Sequence, residues 1–199
     1  MLTPPGFVET VSPFQSTEGV VAQSVDSLLD SRQLLNPATA NNRQMAESDA
    51  YVDHPLLTPS FIERRLYQIQ LAGTARNGNT LVCLPTGLGK TTVSLLVTAE
   101  RLHDVGGKSL FLAPTKPLVE QQAEFYREAL TIPDDEIVVF TGEVRPDDRA
   151  ALWESSTVVI ATPQVVENDL VGNRISLADV THLTFDECHR GTGDYAYVY

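Results

Sequence analysis

The sequence predicts an α/β domain, a parallel sheet with helices on both faces. Three observations predict it. From about Tyr51 onward, short apolar runs alternate with helical patterns, the order that builds parallel sheets. A hydrophobic content of 42% over 199 residues supports one buried core of that kind. The strings that interrupt the periodicity fall where a strand ends and a helix begins, the edge at which open parallel sheets bind ligands.

Residues 1–50 stand apart. They are rich in Ser, Thr, Gln, Asn and Pro and read as a largely irregular extension. Within it Val21, Val25, Leu28 and Leu29 have the spacing of one short amphipathic helix, and Met45 offers an alternative start. The domain proper is placed at 51–199. Its first element is a helix over 58–75, capped by Thr58 or Ser60 with Glu63 in the first turn. Strands follow near 81–84, 109–113, 137–141, 157–161 and 182–186. Helices are expected over 90–103, 117–130, 146–154 and 164–170. No internal repeat is visible.

Leu84-Pro85-Thr86-Gly87-Leu88-Gly89-Lys90-Thr91 joins the first of these strands to a helix, the context a phosphate-binding loop requires. Gly87 and Gly89 let the backbone turn tightly and bring its N–H groups onto phosphate oxygens. Lys90 reaches the terminal phosphates, the Thr91 hydroxyl is placed to ligate Mg²⁺, and the helix dipole favours the anion. Leu84 stands where the usual pattern opens with Gly. The last strand ends in Asp186-Glu187-Cys188-His189. A carboxylate ending a parallel strand in a phosphate-loop enzyme holds Mg²⁺, which suits Asp186. Its neighbour Glu187 can orient or deprotonate water.

Composition excludes several classes. No apolar run is long enough to span a membrane, and the N-terminus lacks the basic-then-apolar pattern of a secretory signal. Cys83 and Cys188 without His at ligand spacing do not make a zinc site; they are expected as small buried side chains in a reducing cytoplasm. The net charge is −12, and only Lys90, Lys108 and Lys116 are lysine. So acidic a balance opposes a nucleic-acid partner at low salt, whereas concentrated salt screens the repulsion. A halophilic source reconciles the two. The chain is then expected to gain stability up to molar KCl in thermal melts; full stability at low salt with no such gain would contradict it.

Taken in order, these strings resemble the first RecA-like domain of superfamily-two helicases. Leu84 to Thr91 is similar to their ATP-binding motif, whose leading residue is often not Gly, and Asp186 to His189 resembles a DExH box. Pro114-Thr115-Lys116, Thr141-Gly142 and Thr162-Pro163 resemble the three short motifs that hold a nucleic-acid backbone. Arg65-Leu66-Tyr67-Gln68 is similar to the upstream motif that reads adenine, with Gln68 on the base and Tyr67 supporting it. His189 takes a coupling role. The narrower likeness is to archaeal Hef and FANCM-type DNA helicases, in Arg-x-Tyr-Gln, in Ala113-Pro114-Thr115-Lys116-Pro117-Leu118-Val119, and in the tail His189 to Val198. Cys188 stands where that family usually has Ala. The resemblance covers about 51–199 and implies ATP, Mg²⁺ and DNA, branched or single-stranded, as ligands.

The resemblance also implies pieces that this sequence lacks. The family continues past the DExH box into a Ser-Ala-Thr motif, on a strand lying between the ATP-loop strand and the DExH strand. A second RecA-like domain then supplies arginines that stabilise the transferring phosphoryl group. The expectation is a fold incomplete at its C-terminal side, which binds ATP weakly, hydrolyses it negligibly and unwinds nothing alone. An RNA-directed DExH enzyme and a non-catalytic nucleotide-binding remnant remain as alternatives. A metabolic phosphate-loop kinase would not need three strand-end backbone contacts.

Overall fold

The computed structural model describes residues 50–193 and 195–198; the predicted 1–50 extension, apart from Ala50, lies outside them. The elements are α1 (Leu66–Ala75), α2 (Lys90–Asp104), β1 (Lys108–Leu112), α3 (Lys116–Ala129), β2 (Ile137–Phe140), α4 (Pro146–Ser155), β3 (Val158–Ala161), α5 (Pro163–Val171) and β4 (Val180–Phe185). The four strands form one sheet in the order β2-β3-β1-β4, and every pairing is parallel. The α/β expectation therefore holds.

The strands read as continuous apolar runs because both faces are covered. On one face Phe111, Ile137, Val158 and Ile160 meet Val93, Leu96 and Val97 of α2 and Val119, Ala123 and Tyr126 of α3. On the other, Leu110, Leu112, Val138, Phe140 and Val159 meet Trp153 of α4 and Val165 and Val166 of α5. Helix α3 buries Val119, Gln122, Ala123 and Tyr126, one stripe at helical spacing. Each of α3, α4 and α5 carries Pro in its first turn, where the missing N–H is harmless.

Three expectations are corrected. The helix placed at 58–75 begins only at Leu66. Upstream, the backbone is engaged elsewhere: Thr58 N donates to Ala129 O, Val52 N to Ile62 O and Arg64 N to Ala50 O. Ser60 has φ of 58°, which interrupts a right-handed helix. Second, residues 81–84 join no strand ladder, and Leu81 is 71% exposed. The outer edge of β4 likewise has no strand partner among the described residues. An open cleft of about 1480 Å³ lies between the two, lined by Leu81 to Pro85, by Ser94 and Val97 of α2, and by β4. Arg101 partly covers the edge, donating from Nε and Nη2 to Thr181 O at 3.2 and 3.0 Å. Third, Cys83 and Cys188 are exposed rather than buried, because both line that cleft.

Candidate nucleotide and nucleic-acid site

The strand order distributes the sequence-predicted strings along the C-terminal edge of the sheet. Thr141-Gly142 follows β2, Thr162-Pro163 follows β3, Pro114-Thr115-Lys116 follows β1 and Asp186-Glu187 follows β4. The strings expected to hold a nucleic-acid backbone thus follow β2, β3 and β1. The carboxylates follow β4, and Pro85 and Lys90 of the glycine loop line the same cleft as Asp186 and Glu187.

The loop is a turn whose Leu88 N donates to Pro85 O at 3.3 Å. Gly87 and Gly89 have φ of 85° and 75°, which only glycine adopts without strain. At Gly89 a Cβ would also collide with Gln68 Nε2. Helix α1 braces the loop from behind, with Tyr67 Oη and Gln68 Nε2 both donating to Leu88 O, at 2.9 and 3.1 Å. Gln68 is 3% exposed, and its amide N–H faces the loop carbonyl in this conformation. Gly89 caps α2 with no side-chain capping bond. The first-turn N–H groups of α2 therefore remain available to an anion beside exposed Lys90.

At the end of β4, Asp186 N donates to Leu112 O at 2.8 Å and Asp186 Oδ1 accepts Glu187 N at 3.0 Å. Glu187 has φ of 52° and ψ of 41°, a left-handed conformation costing a non-glycine residue about 1–2 kcal/mol; such strain clusters at functional sites. His189 Nδ1 lies 3.4 Å from Glu187 Oε2. Tyr197 Oη lies 2.8 Å from Asp186 O and 3.0 Å from Leu112 O; its single proton serves one carbonyl at a time. Tyr197 thus ties the carboxylate string to the end of β1, a role that the sequence reading did not give it.

Burial pushes the Asp186 carboxyl above its usual range. The Glu187 N–H and the Lys90 ammonium oppose that shift, and the Glu187 carboxylate adds to it. With the folded pKa raised, the ionised form is the costly one, and stability falls as pH rises through that pKa. Asp186→Asn should therefore raise Tm at pH 7 by about 1–2 °C, allowing for solvent screening of a half-buried group. A lowered Tm would mean that the carboxylate is net stabilising.

After β1 and β3, Thr115 and Thr162 precede α3 and α5 without using their hydroxyls as caps. Thr115 and Gly142 are exposed. Thr141 is 4% exposed and Pro163 is buried, so these two offer little surface themselves. Pro114 and Thr162 are half-buried. Lys116 Nζ is held by Glu143 at 2.5 Å and Glu120 at 3.5 Å, so a phosphate arriving there would displace a carboxylate. Beneath these loops lies a pair that no sequence spacing announced: Arg149 of α4 against Asp169 of α5, Nε to Oδ2 at 2.5 Å.

A parallel α/β sheet with a braced glycine loop and a strand-end carboxylate lining one cleft defines a phosphate-loop nucleotide-binding domain. Residues 65–197 match the family described as DEAD/DEAH box helicase, and the chain belongs to it, as a first RecA-like domain. It is 44% identical over 149 residues to a Methanocaldococcus jannaschii protein assigned by name as an ATP-dependent RNA helicase, covering 75% of this chain and 19% of that one. It is 42% identical over 140 residues to the ATP-dependent DNA helicase MPH1 of Debaryomyces hansenii, covering 70% of this chain and 13% of the relative. The helicase domain of Pyrococcus furiosus Hef superposes with a TM-score of 0.70 at 47% identity, covering 72% of this chain and 30% of that one. The chain thus spans less than a fifth of the length of these two curated relatives.

Proposed function

We propose that this chain is the ATP-binding part of an ATP-dependent DNA helicase or translocase of the fork-repair kind, acting in the cytoplasm. One observation carries the reading: the glycine loop with exposed Lys90, and a half-buried Asp186 whose charge Lys90 stabilises, line one cleft. The donor set fits a magnesium nucleotide. Backbone N–H groups from Pro85 to Thr91 would cradle phosphates (Pro85 itself supplying only the turn), Lys90 would bind their terminal oxygens, and Thr91 and Asp186 would hold Mg²⁺. Bound Mg²⁺ supplies neutralising charge at the phosphates. Glu187, held in its strained conformation, would orient the attacking water, and His189 would relay its position. Gln68 and Tyr67 would sense an adenine through the loop that they brace.

DNA would lie across Pro114, Thr115, Lys116, Thr141, Gly142, Thr162 and Pro163, contacted through its phosphates and not its bases. The cleft beside β4 supports reading the chain as part of a larger fold. Residues 81–84 and the outer edge of β4 line it with no strand between them among the described residues, and backbone groups left so need partners. A further strand and a second RecA-like domain would complete the site. The 199-residue chain alone would bind ATP without appreciable turnover.

Binding of a fluorescent ATP analogue to the chain, with and without Mg²⁺, tests the first part; no Mg²⁺-dependent binding overturns it. ATP turnover by a longer protein carrying both domains tests the rest. Stimulation by branched DNA is expected, and stimulation by duplex RNA alone would favour the RNA-directed reading. Robust DNA-stimulated turnover by the 199-residue chain would refute its incompleteness.

A further inference from the structure

We infer that Ser94 and Thr184 are positioning residues that fix the phosphate loop against the Asp186 carboxylate; the inference rests on the magnesium–nucleotide reading above. Ser94 sits one helical turn after Lys90 in α2, on the same side of the helix. Thr184 sits two residues before Asp186, so strand alternation sends both side chains to one face. Each is thus one structural repeat away from a group that would hold the ligand. Ser94 Oγ lies 2.8 Å from Thr184 Oγ1, a direct side-chain tie between the loop's helix and the carboxylate's strand.

This tie lies nearer the ligand end than the other bonds from α2 to β4, which Arg101 and Thr98 make to Thr181 and His182. Strand β4 has no ladder on its outer edge among the described residues. Toward α2 it presents His182 and Thr184, both bonded to polar groups of that helix. A hydroxyl pair fixes a distance and a direction, whereas an apolar contact allows sliding.

The surrounding groups allow a continuous donor order through the tie. Tyr126 Oη, fully buried, lies 3.0 Å from Ser94 Oγ. Thr184 Oγ1 lies 3.4 Å from His182 Nε2, and His182 Nδ1 lies 3.1 Å from Thr98 Oγ1 and 3.2 Å from Ser109 Oγ. Tyr126 donating to Ser94, Ser94 to Thr184 and Thr184 to a neutral His182 satisfies the chain. Burial, assisted by the Arg101 charge, pushes His182 down to about 4, so the ring is neutral at pH 7; Nε2 accepts in the tautomer whose Nδ1 donates to Thr98 or Ser109.

The test uses the 199-residue chain with Ser94→Ala, Thr184→Val and the hydroxyl-preserving Thr184→Ser. Binding of a fluorescent ATP analogue is titrated against Mg²⁺ and repeated in EDTA, with thermal melts alongside. Ser94→Ala and Thr184→Val should each raise the Mg²⁺ midpoint about three- to tenfold, the scale of one neutral hydrogen bond, while affinity in EDTA stays unchanged. The double variant should match either single one, and Thr184→Ser should titrate like the parent. Unshifted midpoints, or equal losses with Mg²⁺ and in EDTA, would overturn the positioning role even if the variants melt earlier. A parent chain showing no Mg²⁺-dependent binding would instead overturn the nucleotide reading, and this inference with it.

Discussion

Replacing Arg149 by methionine should destabilise the chain by about 3–5 kcal/mol, the usual cost of stranding one member of a buried ion pair. The pair is bidentate: Nε to Oδ2 is 2.5 Å and Nη2 to Oδ1 is 2.8 Å. Asp169 is completely buried and Arg149 nearly so. Arg149 Nη1 also donates to Val144 O, so the same side chain pins the loop between Gly142 and α4. Without the guanidinium, Asp169 must remain ionised in an apolar setting, take up a proton, or draw in Arg174. That residue already stands 4.0 Å away with a partly exposed side chain, and its recruitment would hold the loss toward the lower figure. A fall in Tm of roughly 10 °C is expected for a chain of this size. The double variant Arg149→Met/Asp169→Leu should recover most of it, since an apolar pair leaves no charge stranded. A single-variant loss below about 1 kcal/mol in urea melts would show the pair to be marginal.

Nothing in the sequence pointed to that pair. Arg149 lies in a helix without a clean apolar stripe, and Asp169 lies twenty residues away in another. Sequence spacing reports neighbours on one element; it does not report which elements meet across a sheet face. The strand ends were legible for the opposite reason. Asp186 and Glu187 are contiguous, and the alternation around them places both at the carboxyl end of β4, while Gly87, Gly89 and Lys90 are legible as one short string leading into α2. The same local logic failed at 81–84. Those residues have strand composition, but a ladder needs a neighbour, and none of the described residues supplies one. It failed too at 58–65, where the helical pattern lost to tertiary hydrogen bonds with Ala129, Val52 and Ala50. Ser94 and Thr184 looked like ordinary small polar residues, and only the crossing of α2 under β4 gives them a common purpose.

Lys90→Ala should weaken binding of a fluorescent ATP analogue about 10- to 100-fold, corresponding to charge-assisted hydrogen bonds of roughly 1.5–3 kcal/mol. The loss should stop there. The first-turn N–H groups of α2 and the left-handed turn at Gly87 and Gly89 persist in the variant, and on the proposed reading they would still bind phosphate without a side chain. Lys90→Arg should fall between the two, because it keeps the charge but replaces a compact ammonium with a broader planar fork. Folding stability should barely change, since Lys90 is exposed. The Asp186 carboxyl, however, loses one of the groups holding it down and should titrate higher still, weakening the Mg²⁺ dependence along with the phosphate contact. Equilibrium titrations with and without Mg²⁺ separate the two effects. An unchanged affinity for Lys90→Ala would place the nucleotide somewhere other than on this loop, and the roles given to Thr91, Asp186 and Glu187 would fail with it, because all three are defined by where the terminal phosphates sit.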